Sequence, residues 1–422
     1  MADAHAGGGA AVKTADPELM RAINRFHVMD AIRRSGPISR VEISEQTELS
    51  PTTVSAITAA LLDDGLIVPR QVAPSPDQPR GRPRIMLELN PEAASVCGAK
   101  LAPDRITIAV TNFQADVLGS VSIPVRVDRQ PASVVLDLVE DGVRSCIEGA
   151  GLLVENINGL CVGLPGIVEH ASGICRYSPL FSERDLKLGD ALRERLQVPT
   201  TLDSDVNLVT MAEHWFGHGR DLNDFLVVSI EHTIGLGIIH RGELFRGANG
   251  LSPDLGDLIV APNGGAGNGA RPGRLSGIAS TTAILSAAAD LSLGAPHEKL
   301  LRGTRAMEHA VALAQAGDER IARVFKEAGW ALGIAIANLI TLFAPPKVIL
   351  AGAALRAGGL LLEPLRDAVQ AATPETIADI AEIVVHEASD DIWARGAAAL
   401  TLRDLYGAPW GTTGPARKHR QT

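Results

Sequence analysis

Three aspartates in two short stretches are the residues of this chain best suited to bind a ligand. Asp205 lies in "SDVN", where a strand leads into a helix, and Asp254 and Asp257 lie in the glycine-rich stretch from Gly247 to Gly273. That stretch contains no cysteine and no histidine. Because ionised carboxylates accept hydrogen bonds from vicinal hydroxyl groups, the three side chains could bind a polyol or a sugar.

The same carboxylates leave other interpretations open. Three neighbouring carboxylates could favour a basic ligand, or a divalent cation with oxygen ligands. The glycine-rich stretch could also be purely structural, with no working pocket. We expect no structural zinc site, because zinc takes thiolate or imidazole ligands in a tetrahedral arrangement and two aspartates among glycines do not provide them.

Bulk properties limit the class of protein. A length of 422 residues exceeds one ordinary domain, and 46% hydrophobic with 21% charged residues fits a soluble globular chain. The net charge of −10 argues against nucleic-acid binding by the whole chain but allows a small DNA-binding module. The four cysteines lie in apolar runs without CxxC spacing, so we expect reduced core residues of a cytoplasmic protein. Neither a signal peptide nor a membrane-spanning run is evident.

Residues 18–90 have the pattern of a winged helix-turn-helix. A first helix is predicted from apolar residues spaced three to four apart. Ser39 and Glu42 form a capping box at the start of a second helix, and Ser50 with Pro51 begins a third. Two short strands joined by a proline-rich loop follow. In this module the third helix enters the major groove of DNA. A three-helix module that binds another protein is the alternative.

Charge supports a DNA-binding role for this segment. Residues 21–85 hold nine arginines and seven carboxylates, a net charge of +2, which leaves −12 for the rest of the chain. The candidate DNA contacts stand at the starts of the second and third helices and in the wing, where side chains meet phosphates and base edges. These candidates are Ser39, Arg40, Ser50, Thr52, Thr53, Ser55, Arg82 and Arg84. The hydroxyl groups could instead serve only as helix caps, and the arginines as solvated surface charges.

A different pattern begins near residue 94. Alternating apolar runs predict a β-meander, further strands and a hairpin, then a helical region and a closing strand–strand–helix segment. This order suggests two α/β lobes around a cleft. The predicted division is a disordered N-terminus (1–17), the winged helix-turn-helix (18–90), a second domain (94–410) with lobes at about 94–230 plus 385–410 and at 231–384, and a solvated basic tail (411–422).

Several stretches occur in an order that points to one family: "SRVEISEQTELSPTTVSAITAALLDDGLI", "GRPR", "GLPGIVE", "SDVN", "GELFRGANGLSPDLGD", "PPKVILAGA" and "RGAAAL". Over roughly residues 20–410 the chain resembles the ROK family, which contains sugar-responsive repressors and sugar kinases. The resemblance implies an α/β fold with a winged helix-turn-helix before a two-lobed actin- or hexokinase-like domain. It also implies a homodimer or homotetramer, a double-stranded DNA operator, and a minor-groove contact by Arg82 and Arg84.

The chain departs from the kinases of this family. Lys100 stands where they have the aspartate that opens the ATP-binding hairpin, and "APDR" replaces the phosphate turn. Glu231 and His232 replace small residues in the second phosphate turn, where a carboxylate would repel phosphate. We therefore expect no ATP, no other cofactor and no phosphotransfer. Asp205 matches the catalytic base and would serve only as a hydrogen-bond acceptor; Ser204 replaces the usual asparagine before it.

Sugar-binding members resemble "GExGH" followed by a cysteine-rich zinc loop. In this chain the glutamate and histidine positions fall on Asp254 and Asp257, and the cysteine positions fall on or near Gly267, Gly269 and Arg274. The resemblance thus implies a sugar-binding site without zinc. Its implied residues are Ser204, Asp205, Asp254 and Asp257.

Together these observations predict a cytoplasmic, homo-oligomeric regulator that represses carbohydrate-metabolism genes. A sugar or related molecule would close the two lobes and change the spacing of the paired winged helices, to the extent that it binds the two states differently. A sugar kinase with an added N-terminal module is one alternative. A DNA-binding protein without a ligand, whose second domain only oligomerises, is the other.

Overall fold

The computed structural model describes most of the chain. The described residues are 17–71, 85–261, 273–295, 297–303, 305–377, 379–386 and 392–406. The chain divides into two compact units, one of residues 94–401 and one of residues 1–93 with 402–422. The predictions for the N-terminal 16 residues, for residues 72–84 and for the tail lie outside the described residues.

The N-terminal unit is a winged helix-turn-helix, as predicted. Its elements are α1 (Pro17–Ser35), β1 (Ile38–Ser39), α2 (Arg40–Thr47), α3 (Pro51–Asp63), β2 (Ile67–Gln71) and β3 (Ile85–Leu89). The three strands form an antiparallel sheet in the order β1-β3-β2. Met29, Ile43, Leu61 and Leu87 are fully buried and join the helices to this sheet as one small core.

Local sequence signals determine where α2 and α3 begin and where α3 ends. Glu42 accepts a hydrogen bond from the backbone N–H of Ser39 at 2.8 Å, and the Ser39 hydroxyl accepts one from the Glu42 backbone, which completes the predicted capping box. At α3, the hydroxyl of Ser50 accepts the Thr53 backbone N–H at 3.1 Å. Gly65 lies two residues beyond α3 with a φ of 69°, a conformation that favours glycine.

The first sheet of the larger unit has five strands. The elements of this half are β4 (Ser95–Ala102), β5 (Arg105–Thr111), β6 (Val117–Pro124), α4 (Ala132–Gly149), β7 (Ile157–Leu164), β8 (Ile167–Glu169), β9 (Ile174–Tyr177), α5 (Leu188–Leu196), β10 (Thr200–Ser204) and α6 (Asp205–Phe216). Strand order is β10-β7-β4-β5-β6. The predicted meander is β4–β5–β6, and β7 and β10 add to it in parallel. Apart from Asn158, the buried strand β7 is apolar, as expected for a parallel strand inside an α/β layer.

The second sheet also has five strands, in the order β13-β12-β11-β14-β15. The elements are β11 (Phe225–Ile230), β12 (Ile234–His240), β13 (Glu243–Leu244), α7 (Ser276–Ala279), α8 (Thr281–Leu291), α9 (Ala306–Gln315), α10 (Glu319–Phe343), β14 (Lys347–Ala351), α11 (Gly359–Ala372), β15 (Glu382–Val385) and α12 (Ile392–Leu405).

Two predicted boundaries differ from the structure. The first lobe was expected to extend to residue 230, but β11 forms a hairpin with β12 and therefore belongs to the second sheet. The second domain was expected to extend to residue 410, but the larger unit ends at residue 401, within α12. The hairpin partner of β11 could not be read from the apolar pattern alone.

Helix α10 is long and apolar enough to span a membrane by length and composition alone. Most of its most apolar window is nevertheless buried inside the unit, where it packs against α11 and the three helices before it. Helix α10 is therefore a core helix of the larger unit.

Helix α6 lies between the two sheets and is covered on all sides. Residues 206–215 are all buried, and the helix contacts β10 and β7 of the first sheet and β11 and β12 of the second. Helix α12 crosses it at Gly396, where an added Cβ would meet the Leu208 carbonyl oxygen at 1.7 Å. Helix α12 can therefore approach the backbone of α6 this closely only with glycine at position 396.

We expect Gly396→Ala to lower the free energy of unfolding by about 3 kcal/mol, because the methyl group would displace the α6 backbone. Gly149→Ala is the matched control: this exposed residue at the end of α4 has no atom near an added Cβ. The control substitution should raise stability by about 0.5–1 kcal/mol. Urea unfolding of both variants measures the difference, and equal stabilities would contradict the close packing of α12 on α6.

Candidate functional site

The exposed face of α3 is made of small, uncharged side chains. Thr52, Ser55, Ala56 and Ala59 are all exposed and follow the spacing of one helix face. Small side chains let a helix backbone come close to base edges in the major groove, and hydroxyl groups can bond to either bases or phosphates. This face, which we call the α3 face, includes two of the predicted DNA contacts.

The other predicted DNA contacts have internal partners. Ser39 is only 4% exposed and its hydroxyl donates to Glu42, so we correct its expected role: it caps α2 and does not face DNA. Arg40 donates from Nε to the Thr58 hydroxyl at 2.8 Å and so ties α2 to α3. The hydroxyl groups of Ser50 and Thr53 lie 2.8 Å apart at the start of α3, Ser50 being exposed.

Arginines of the N-terminal unit are largely paired with carboxylates. The pairs are Arg25–Asp64, Arg33–Asp30, Arg34–Asp30 and Arg70–Glu88. Much of the positive charge counted in the sequence is thus neutralised within the described part of this unit. Arg82 and Arg84 lie outside the described residues.

Asp205 is the first residue of α6, and its carboxylate lines a cavity of about 380 Å³. The cavity lies in the larger unit, between the β4–β5 hairpin and the turn from β11 to β12. Burial raises the pKa of Asp205; nearby Lys100 opposes this rise and Glu231 adds to it. A carboxylate with a raised pKa, half-buried in a cavity, is suited to a ligand that donates a hydrogen bond or carries a positive charge.

Asp254 and Asp257 come together in a second place. The backbone N–H of Asp257 donates to the Asp254 carboxylate at 3.2 Å, and burial together with Asp257 raises the pKa of Asp254. Asp257 itself is more than half exposed and pairs with Arg274 at 2.9 Å. Neither of these two aspartates lines the cavity at Asp205, and Ser204 is only 5% exposed.

A buried carboxylate that was not predicted from the sequence lies between the cavity at Asp205 and the segment of Asp254 and Asp257. Asp203, in β10, is 1% exposed and accepts hydrogen bonds from Arg246 and, at 2.6 Å, from the amide of Asn207. His170 lies 3.2 Å from the same carboxylate. Asn207 on α6 also donates to Ser252 at 2.8 Å, two residues before Asp254. The network thus joins the helix that carries Asp205 to the segment that carries Asp254.

The charge of Asp203 is stabilised by its partners. Burial alone would raise the pKa of this carboxyl, but Arg246 and His170 lower it well below its usual range. One signal was present in the sequence, since an acid within an apolar strand requires a buried partner. The identity of that partner could not be predicted, because Arg246 is 43 residues away along the chain.

We expect Asp203→Asn to cost about 3 kcal/mol of unfolding free energy at pH 7, because Arg246 loses its buried counter-charge. A depressed pKa stabilises the fold above the unfolded-state pKa, about 3.9, and this contribution is lost as the pH falls. The gap between the wild type and the variant should therefore shrink below about pH 4. Urea unfolding from pH 7 to pH 3 measures this.

Asp190→Asn serves as the control, because its pair with Arg193 is exposed on α5. It should cost less than about 1 kcal/mol. If Asp203→Asn costs no more than this control, the buried network does not hold the two places together.

Among the described residues, no group of three or more histidine, cysteine and carboxylate side chains could hold a metal ion. The positions Gly267 and Gly269 lie outside the described residues. Arg274 is among the described residues, and its side chain forms an ion pair with Asp257.

Comparisons with known proteins agree with this architecture. A winged helix-turn-helix DNA-binding model matches residues 21–68, and the ROK family model matches residues 98–404. The xylose repressor of Caldicellulosiruptor bescii is 26% identical over 395 residues, 93% of this chain and 98% of the relative. The Escherichia coli DNA-binding transcriptional dual regulator NagC is 28% identical over 365 residues, which cover 86% and 88% of the two chains.

Among solved structures, a ROK family transcriptional regulator described as a homolog of the E. coli MLC protein superposes with a TM-score of 0.76 at 26% identity. The match covers 93% of this chain and 98% of that one. The ROK model spans well over half of the present chain. The chain therefore belongs to the ROK family and carries an N-terminal winged helix-turn-helix.

Proposed function

We propose that this protein is a DNA-binding repressor of carbohydrate-metabolism genes and that a sugar or related small molecule controls it. One observation carries this proposal: the chain joins a winged helix-turn-helix to a ROK domain and aligns over most of its length with a xylose repressor and with NagC. The protein would act in the cytoplasm. Its four cysteines, all free and buried, fit a reducing compartment.

The α3 face supplies the proposed contact with the operator. Thr52 and Ser55 would reach base edges, while Ser50 and Thr53 at the helix start would meet phosphate. Arg40 would hold α2 against α3 and so fix the angle at which α3 enters the groove. A homodimer or homotetramer would present two such helices to two half-sites of a palindromic operator.

We expect Ser55→Asp to weaken operator binding by about 10- to 100-fold, because it adds a negative charge to the α3 face. Ser145→Asp is the control, since Ser145 is also exposed on a helix but lies on α4 of the other unit. The operator is first selected from a random duplex pool with the full-length protein. Fluorescence polarisation at fixed salt then compares the variants, and equal dissociation constants would exclude the α3 face as the reading surface.

The proposed effector site uses the carboxylates of Asp205 and Asp254. Both have raised pKa values, and the Asp203–Asn207–Ser252 network links the segments that carry them. Sugar hydroxyl groups donate hydrogen bonds to such carboxylates without a countercharge. Closure of the two lobes on the ligand would then bias the winged helices between a bound and a released arrangement.

We expect one sugar, sugar phosphate or polyol to raise the melting temperature saturably, since a ligand of the native state at about 100 times its Kd adds about 2.7 kcal/mol. Asp254→Asn should abolish the rise. Asp221→Asn, an exposed change distant in sequence, should not. A rise in melting temperature with divalent cations alone would indicate a metal site and not a sugar site.

A second candidate, a regulator without a ligand, gains support from one observation. Of the four expected effector residues, Asp257 already pairs with Arg274 and Ser204 is buried. In that case the ROK domain would serve only for oligomerisation. A melting temperature unaffected by the whole panel, with intact DNA binding, would favour this candidate.

We propose further that the protein is not a kinase. The cavity at Asp205 is lined by three carboxylates, those of Asp104, Asp205 and Glu231. They offset the three cations Lys100, Arg105 and Arg356, so nucleotide phosphates would meet no net positive charge. Repulsion between phosphate and carboxylate opposes binding there. Steady turnover of any sugar with Mg-ATP in a coupled assay would contradict this part of the proposal.

A further inference from the structure

The cavity at Asp205 carries features that the sugar-responsive regulation above does not use. Besides the start of α6, it is lined by the β4–β5 hairpin, the turn from β11 to β12 and the short helix of residues 353–357 after β14, together with residues 120–122 of β6, Pro165 and Trp393. Its volume of about 380 Å³ is in the range of sites for small molecules. It is large enough for a ligand of its own.

Four charged side chains in this cavity have no ion-pair partner. Lys100 and Arg356 are the cations, and Asp205 and Glu231 are the carboxylates. Among the described residues, none of the four lies within salt-bridge distance of an opposite charge. By contrast, Asp104 and Arg105 line the same cavity and pair with each other at 3.1 Å. The unpaired charges thus consist of two positive and two negative groups.

The two carboxylates lie close enough to influence each other. After burial and the opposing effect of Lys100, Glu231 contributes to the raised pKa of Asp205. Such repulsion is relieved when a positive group comes between two carboxylates. The cavity therefore presents a place for a cation beside a place for an anion.

Other classes of ligand fit this charge arrangement less well. A polyanion would be attracted by Lys100 and Arg356 but repelled by Asp205 and Glu231. A polycation would be attracted by Asp205 and Glu231 but repelled by Lys100 and Arg356. A neutral molecule would leave all four charges without a counter-charge. A molecule with one charge of each sign compensates both pairs, and charge complementarity of this kind determines specificity.

We propose that this cavity binds a small zwitterion, with an ammonium group held by Asp205 and Glu231 and a carboxylate held by Lys100 and Arg356. Trp393 and Pro165 line the same cavity and provide apolar surface for a short hydrocarbon skeleton. The ligand class is that of free α-amino acids and molecules of similar size. Such a ligand would make the protein responsive to a second class of metabolite, whose site shares Asp205 with the proposed effector site and otherwise uses other residues.

The test is thermal unfolding of the full-length protein with each standard amino acid at about 10 mM, a concentration that detects millimolar binding. We expect at least one amino acid to raise the melting temperature saturably. The corresponding amine without the carboxylate, and the acid without the amine, should not. Absence of a saturable rise with every amino acid overturns the proposal. An equal rise with the acid or with inorganic phosphate also overturns it, because the site would then be an anion site.

Two variants locate the binding. Glu231→Gln should raise the Kd of the amino acid at least about tenfold, because it removes one charged partner of the ammonium group. Asp104→Asn is the matched control in the same cavity and should change the Kd less than about twofold, since its carboxylate is already paired. Equal losses in both variants would contradict the assigned role of the unpaired charges.

The sugar response provides an independent readout on the same samples. Glu231→Gln should leave it unchanged, because Glu231 is not part of the proposed sugar site. A lost amino-acid response with a retained sugar response therefore supports the zwitterion site. A missing sugar response with a retained amino-acid response would instead contradict the effector assignment alone.

Discussion

The burial of the Asp203 carboxylate constrains how several segments of the larger unit meet. Asp203 sits at the end of β10, and a carboxylate at 1% exposure is tolerable only with charged and hydrogen-bonded partners. Arg246 provides the opposite charge, His170 lies 3.2 Å from the carboxylate, and Asn207 provides a hydrogen bond from the first turn of α6. These partners come from three separate segments, so satisfying one carboxylate fixes where those segments meet.

Helix α6 transmits this constraint to the rest of the unit. Its first residue is Asp205, its sides touch both sheets, and Gly396 of α12 contacts its backbone. Residues 206–215 of this helix are all buried, so the helix cannot shift without moving its neighbours in both sheets. Any ligand that moves the carboxylate of Asp205 would therefore act on an element that both lobes share, which is the arrangement that coupling between them requires.

Much of the fold could be predicted from the sequence, because the signals were local. The capping box at Ser39 and the alternation along β4, β5 and β6 depend on residues only a few positions apart. The sheet assignment of β11 and the partner of Asp203 could not be predicted, because both depend on contacts between distant segments. The same limit applies to the cavity: Lys100 and Glu231 were recognised as departures from a kinase, but not as neighbours of Asp205.

The small side chains of the α3 face have a consequence for how such regulators diverge. In its proposed role as the recognition helix, α3 presents threonine, serine and alanine, so one larger or charged residue at these exposed positions is expected to alter the preferred base without disturbing the core beneath it. Duplicated copies of this protein could thus acquire separate sets of target genes through single substitutions. The ligand specificity of their ROK domains would change through other substitutions, independently of the DNA specificity.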